Sequence, residues 1–222
     1  MQILDFLPSY IYVIAISFLV SLTLFFKLKP ADRYLRLFPP FLLATLSAEL
    51  LGMYLTFLKK PNILLYNFFT TVEFCFYLWI LGLVISNPRM KRVIRITNLL
   101  YAFVVVINVL FVQGTHTFHT ITYSIGCLVI VVFCIYYFLE LFRLPKSVQL
   151  KNNPAFWICS GLLFFYCCSF PLYALVNLWS GISKLVLKNF SQIVTILNVF
   201  LYSLFTIAFL CIRNRKYTLS QS

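Results

Sequence analysis

Residues 63–85 read ILLYNFFTTVEFCFYLWILGLVI, an apolar run whose one charged side chain is Glu73. A helix rises about 1.5 Å per residue, so a run of this length crosses the roughly 30 Å hydrocarbon core of a bilayer. A membrane β-strand would be shorter and would alternate in polarity, and this run does neither. It predicts a transmembrane helix. The same test applied outward in both directions predicts seven spans in all, at residues 9–26, 37–58, 63–85, 96–113, 120–142, 154–179 and 189–212.

The composition excludes the alternatives. Apolar residues make up 62% of the 222 and charged residues 10%, against about 45–50% and about 25% in ordinary soluble domains. A water-soluble globule of this make-up would expose far more apolar area than the few hundred Å² that soluble monomers tolerate. One all-α domain over residues 1–222 is expected, a polytopic seven-helix bundle with no soluble domain.

The basic residues orient the bundle. The segments after the first, third, fifth and seventh spans carry 14 of the 18 Lys and Arg, among them Lys27, Lys29, Arg33, Arg36, Arg89, Lys91, Arg92, Arg95, Arg143 and Lys146. Only Lys59, Lys60, Lys184 and Lys188 lie on the other side. The positive-inside rule then places the N-terminus outside and the C-terminus in the cytoplasm, and the plasma (inner) membrane is the expected location. With no basic residue before the first span and Lys27 and Lys29 after it, that span is expected to be a retained anchor rather than a cleaved leader. The net charge of +13 is thus a topology signal, and it also favours contact with anionic headgroups of the bilayer. Nucleic acid is not an expected partner, because the basic residues are scattered over four short segments rather than gathered on one face.

Two acids lie where acids are costly. Glu49 and Glu73 are each twelve residues from Pro61, on opposite sides of the turn between the second and third spans. Both therefore sit roughly 18 Å below that turn, near mid-membrane, on helices that a short loop makes antiparallel neighbours. Thr45, Ala48, Gly52 and Thr56 share the face of Glu49, and Tyr66, Thr70 and Tyr77 share that of Glu73, with Asn67 beside them. Folding about Pro61 predicts a polar ladder that pairs Glu49 with Glu73, Thr45 with Tyr77, Gly52 with Thr70 and Thr56 with Tyr66. No span interior holds a Lys or Arg to neutralise an ionised carboxylate. The acids are either protonated, or share a proton, or are neutralised by a bound cation or amine. Asn198 on the seventh span stands at a similar depth, with Tyr202 on the same polar stripe. Together, Glu49, Glu73, Asn67, Thr70, Tyr77, Asn198 and Tyr202 form the candidate site for a small ligand or a proton.

Other features carry less. The seven cysteines all fall within spans, and their odd number and depth argue for packing rather than disulfides. His116 and His119 offer two imidazoles at the outer mouth, which alone make a weak metal site and are expected to be interfacial polar residues. Pro171 is expected to bend the sixth span, and Trp157 and Trp179 to anchor its ends. No Walker loop, GxSxG or HExxH occurs.

The segments Tyr66-Asn67-Phe68-Phe69-Thr70-Thr71-Val72-Glu73-Phe74 and Ile196-Leu197-Asn198-Val199-Phe200-Leu201-Tyr202 resemble those of a group of small seven-helix bacterial membrane proteins. That group has no assigned activity, so the resemblance implies the fold and supplies no catalytic residue. The layout also resembles rhodopsins and seven-helix receptors, but the seventh span has no interior Lys for a retinal Schiff base. A retinal pigment is disfavoured, and no cofactor or metal is expected. The leading expectation is a small sensor or receptor-like module that signals to a cytoplasmic or membrane partner through its basic loops. A proton- or cation-coupled transporter using the same two acids is second. An intramembrane lipid-modifying enzyme is third, because no nucleophile or metal set accompanies them.

Overall fold

In a computed structural model the chain is an all-α bundle. The structure describes the backbone of residues 8–25, 30–143, 150–178 and 184–219, and the side chains of 8–23, 34–143, 150–174 and 189–211. Asp5, Lys27, Lys29, Lys146, Trp179 and the Ser180-Gly181 turn lie outside the described residues. Seven α-helices follow in order: α1 (Ser9–Phe25), α2 (Phe38–Phe57), α3 (Ile63–Val84), α4 (Pro88–Ile107), α5 (Thr120–Phe142), α6 (Pro154–Leu178) and α7 (Lys184–Leu219). No described residue is in a strand.

Six described segments are long and apolar enough to cross a membrane: Tyr34–Phe57, Ile63–Val84, Pro88–Val112, Thr120–Phe142, Pro154–Ala174 and Asn189–Cys211. α1 supplies a shorter apolar helix, Ser9–Thr23. The outer faces bear exposed Leu99, Phe103, Phe111 and Phe142, a surface that suits lipid and not water. This is a multi-pass membrane protein.

Helix ends follow local chemistry rather than the edges of the apolar runs. α4 starts at Pro88, eight residues before the apolar run at 96. The Asn87 side chain caps it by accepting from the backbone N–H groups of Arg89 (2.9 Å) and Met90 (3.4 Å), and Pro88 gives up no hydrogen bond in the first turn. Arg89, Lys91, Arg92 and Arg95 therefore ride on a helix and not a loop. α7 likewise begins at Lys184, before the apolar run, and extends to Leu219. Between α2 and α3, Lys60 N–H bonds to Leu55 O (2.8 Å) and Lys59 N–H to Thr56 O (2.9 Å), the paired bonds of a Schellman close. α4 ends in a π-helical turn, Asn108–Val112, followed by Gly114 at φ +79°, a backbone that glycine adopts without strain.

The helices close into a ring. α1 packs on α2 and α7, α7 on α6, α6 on α5, and α5 on α3, while α2 and α3 touch more lightly; α4 lies outside, mainly against α3. α3 and α5 approach closely at Gly126, where an added Cβ would lie 2.8 Å from the Phe74 ring. One end of the ring carries the α2–α3, α4–α5 and α6–α7 connections. The other, the basic end, carries the remaining connections and is filled by packed side chains, with Phe38, Leu42, Leu81 and Phe209 at most 1% exposed. There the Glu140 carboxylate of α5 accepts from the backbone N–H groups of Ser86 and Asn87, both at 3.0 Å. Trp157 donates its indole N–H to Lys151 O at 3.1 Å. α6 runs through Pro171 without a break.

Candidate functional site

Away from the basic end, the ring encloses a cavity of about 630 Å³, within the range of small-molecule pockets. Every helix of the ring contributes to its wall: Tyr10 from α1, Glu49 from α2, Thr70 and Glu73 from α3, Tyr123 from α5, Phe165 and Tyr173 from α6, Asn198 and Tyr202 from α7. Aromatic rings make up much of the wall. Tyr123 and Tyr173 lie 4.2 Å apart between centroids, Phe118 packs on both at 5.5 and 5.7 Å, and Phe190 meets Tyr173 at 5.4 Å. Among the described residues no Lys, Arg or His lines the cavity.

The two carboxyls share this space but have different partners. Glu49 Oε2 accepts from the Tyr10 hydroxyl at 2.8 Å and from the Tyr66 hydroxyl at 3.4 Å. The Tyr66 phenol reaches Glu49 past Gly52, where an added Cβ would sit 2.8 Å from Tyr66 Cζ and closer still to its oxygen. Glu73 has the Tyr77 hydroxyl beside it. That hydroxyl is fully buried and completes no hydrogen bond of normal geometry.

The predicted ladder is corrected in its rungs. Tyr66 pairs with Gly52 and Glu49 rather than with Thr56, and Thr56 instead accepts from Asn62 Nδ2 at 3.0 Å. Thr45, Thr56 and Thr70 each return their hydroxyl to the carbonyl four residues earlier, as do Ser124 and Thr206. Pairing by Cα depth ignores two facts: a tyrosine reaches beyond one helical turn, and short hydroxyls readily bond their own helix.

Of the seven predicted site residues, Glu49, Glu73, Thr70, Asn198 and Tyr202 line the cavity, and Asn67 and Tyr77 do not. Asn198 returns its amide nitrogen to Val194 O at 2.9 Å. Asn67 is buried and clamps the α4–α5 connection. Its Nδ2 donates to Thr117 O (2.9 Å) and its Oδ1 accepts from His119 N–H (3.1 Å). Tyr77 lies in the core beneath the cavity, 5.3 Å from Phe41 and 6.1 Å from Phe205 between ring centroids. His119 has both ring nitrogens engaged by threonine hydroxyls. It is buried, with Nε2 2.8 Å from Thr70 Oγ1 and Nδ1 2.8 Å from Thr122 Oγ1, and burial pushes its imidazole down to about 4. His116 is exposed. No group of three or more His, Cys, Asp and Glu among the described residues could hold a metal ion, and all seven cysteines are free.

The sequence reading missed Tyr10 and the aromatic wall. Tyrosines are scattered along most spans, and nothing in the spacing of α1 set Tyr10 apart from Tyr12, which is exposed. Compared with known proteins, the chain matches no family model, no curated protein and no solved structure.

Proposed function

We propose that the protein is a receptor-like sensor of the plasma (inner) membrane. In this reading α1 also spans the membrane and brings the six longer spans to seven, the N-terminus is outside, and the cavity takes up a small ligand from the outer face. The observation that carries the reading is the asymmetry of the core. The half holding Glu49 and Glu73 is hollow, whereas the half beyond Tyr77 is closed by Phe38, Leu42, Leu81 and Phe209. A ligand entering from the hollow end meets a floor. A transporter would have to dismantle that packing in every cycle.

The orientation is supported by the bias of 14 basic residues to 4. A route for the signal is supported by ring contacts that run from the cavity toward the basic end. Tyr202 meets Phe205 at 5.8 Å, Phe205 meets Phe38 at 5.4 Å, and Phe38 meets Phe209 at 5.5 Å. Phe38 opens α2 just after Arg36, and Phe209 precedes Arg213 on α7, so a shift at the cavity floor reaches helix ends that carry the basic docking residues for a signalling partner.

Cysteine labelling tests this in intact cells. Asn198→Cys should react with a membrane-impermeant thiol reagent added outside, because a thiolate forms only where water reaches. Cysteines placed at Ser86 and at the C-terminus should react only from the cytoplasm, and one at His116 from outside. Reaction of Asn198→Cys only from the cytoplasm would overturn the reading, and ion-driven solute uptake by proteoliposomes would replace it with the transporter.

A further inference from the structure

We infer that the ligand of this cavity is a small organic cation, a protonated or quaternary amine held by the Glu73 carboxylate and the rings of Tyr123 and Tyr173. The inference rests on the proposed ligand-binding role and names the chemistry of its ligand. Three observations converge on it.

The first is charge. The cavity wall carries two carboxyl groups, and no described Lys, Arg or His lines it. An anionic ligand would meet like charge with nothing to offset it, whereas a cation supplies the charge that an ionised acid inside a membrane bundle requires.

The second is the difference between the acids. Glu49 is occupied by the hydroxyls of Tyr10 and Tyr66. Glu73 accepts no hydrogen bond of normal geometry from a described side chain, and the fully buried Tyr77 hydroxyl stands beside it. A carboxylate with open acceptor positions facing a cavity is the recognition half of an ammonium site.

The third is the wall itself. Tyr123, Tyr173, Phe118 and Phe190 form a connected cluster of rings, and aromatic faces attract a cation through their quadrupole, most strongly where water is excluded. An inorganic ion fits poorly. Hard cations take about six or more oxygen ligands at roughly 2.0–2.6 Å, and the described residues gather no group of three or more His, Cys, Asp and Glu to anchor one.

The test uses the full-length protein in a neutral maltoside detergent, with calorimetric titration of choline and of its uncharged isostere 3,3-dimethyl-1-butanol. The two have nearly the same shape and differ in the positive charge. Choline should bind saturably and at least about tenfold more tightly than the isostere. Glu73→Gln should weaken choline by a similar factor while leaving the isostere unchanged, and Tyr173→Leu should weaken choline more than Tyr173→Phe does. The wild-type comparison decides the matter even if a variant fails to fold. Equal affinity for the two probes, or binding of the isostere alone, overturns the cation assignment and leaves the small-ligand reading standing. Absence of choline binding up to about 10 mM, well above the range expected for a charge-paired site, also overturns it. Failure of Asn198→Cys to react from outside removes the underlying reading instead, so the two failures are distinguishable.

Discussion

The Tyr10 hydroxyl donates to Glu49 Oε2 at 2.8 Å across the contact between α1 and α2. This bond ties the first helix to one of the two acids in the cavity, and it is shorter than the 3.4 Å bond from Tyr66 to the same oxygen. Tyr10→Phe should therefore lower unfolding stability by about 1–3 kcal/mol, the range for a hydrogen bond to a charged or partly buried acceptor. Glu49→Gln should cost less in the Tyr10→Phe background than in the wild type. A double-mutant cycle on thermal or denaturant unfolding measures the coupling, and strictly additive effects would show that the two side chains do not act as a pair.

Two glycines make close approaches of different kinds, which sets an order. At Gly126 an added methyl would collide with Phe74, a fully buried ring wedged among Tyr101, Tyr123 and Tyr166. At Gly52 it would collide with the tip of Tyr66, which is half-buried and can swing aside at the cost of its bond to Glu49. Gly126→Ala should destabilise by about 1–3 kcal/mol, the usual cost of overpacking, and Gly52→Ala by less. Phe74→Leu should partly rescue Gly126→Ala. Equal losses at the two positions would contradict the difference in freedom of the two rings.

Glu140 holds the turn between α3 and α4 by accepting from Ser86 N–H and Asn87 N–H. Glu140→Ala removes both bonds and leaves two amides to find water, so it should cost about 2 kcal/mol or more. Glu140→Gln keeps one acceptor oxygen and should cost about half as much. Hydrogen exchange at Ser86 and Asn87 reads the effect directly. Unchanged exchange in the Ala variant would mean that the clamp does not hold the turn.

The membrane class of the chain was legible because 20-residue apolar runs are a coarse signal that no side-chain detail can erase. The placement of both Glu on one cavity was legible as well, from their equal spacing about Pro61. Helix ends at Pro88 and Lys184 were not, because a helix extends past the lipid wherever a cap such as Asn87 continues it. The rungs between α2 and α3 were misassigned because partner choice depends on rotamer and reach. The aromatic wall was hidden by abundance. With 25 Phe and 14 Tyr in the chain, sequence alone cannot separate rings that face a cavity from those that face lipid.

His119 predicts a pH response at the α4–α5 connection. Its two ring nitrogens meet the hydroxyls of Thr70 and Thr122, and its backbone N–H meets Asn67. Burial is the dominant influence, pushing the imidazole from its ordinary 6.5 down to about 4, so it is neutral in the folded loop. Between these values the unfolded or opened loop binds a proton that the closed loop refuses. The closed state therefore has its full stability above about pH 6.5, loses it as pH falls toward 4, and loses no more below that. At about 1.4 kcal/mol per unit, the loss amounts to on the order of 3 kcal/mol. His119→Gln keeps a polar side chain there but cannot titrate, so it should flatten this part of the pH profile even if it lowers stability overall. Hydrogen exchange at the His119 and Thr122 amides between pH 4 and 8, corrected for the intrinsic pH dependence of exchange, gives the opening free energy of the loop. Parallel profiles for wild type and His119→Gln would show that another group titrates, and that the buried imidazole is not the source of the response.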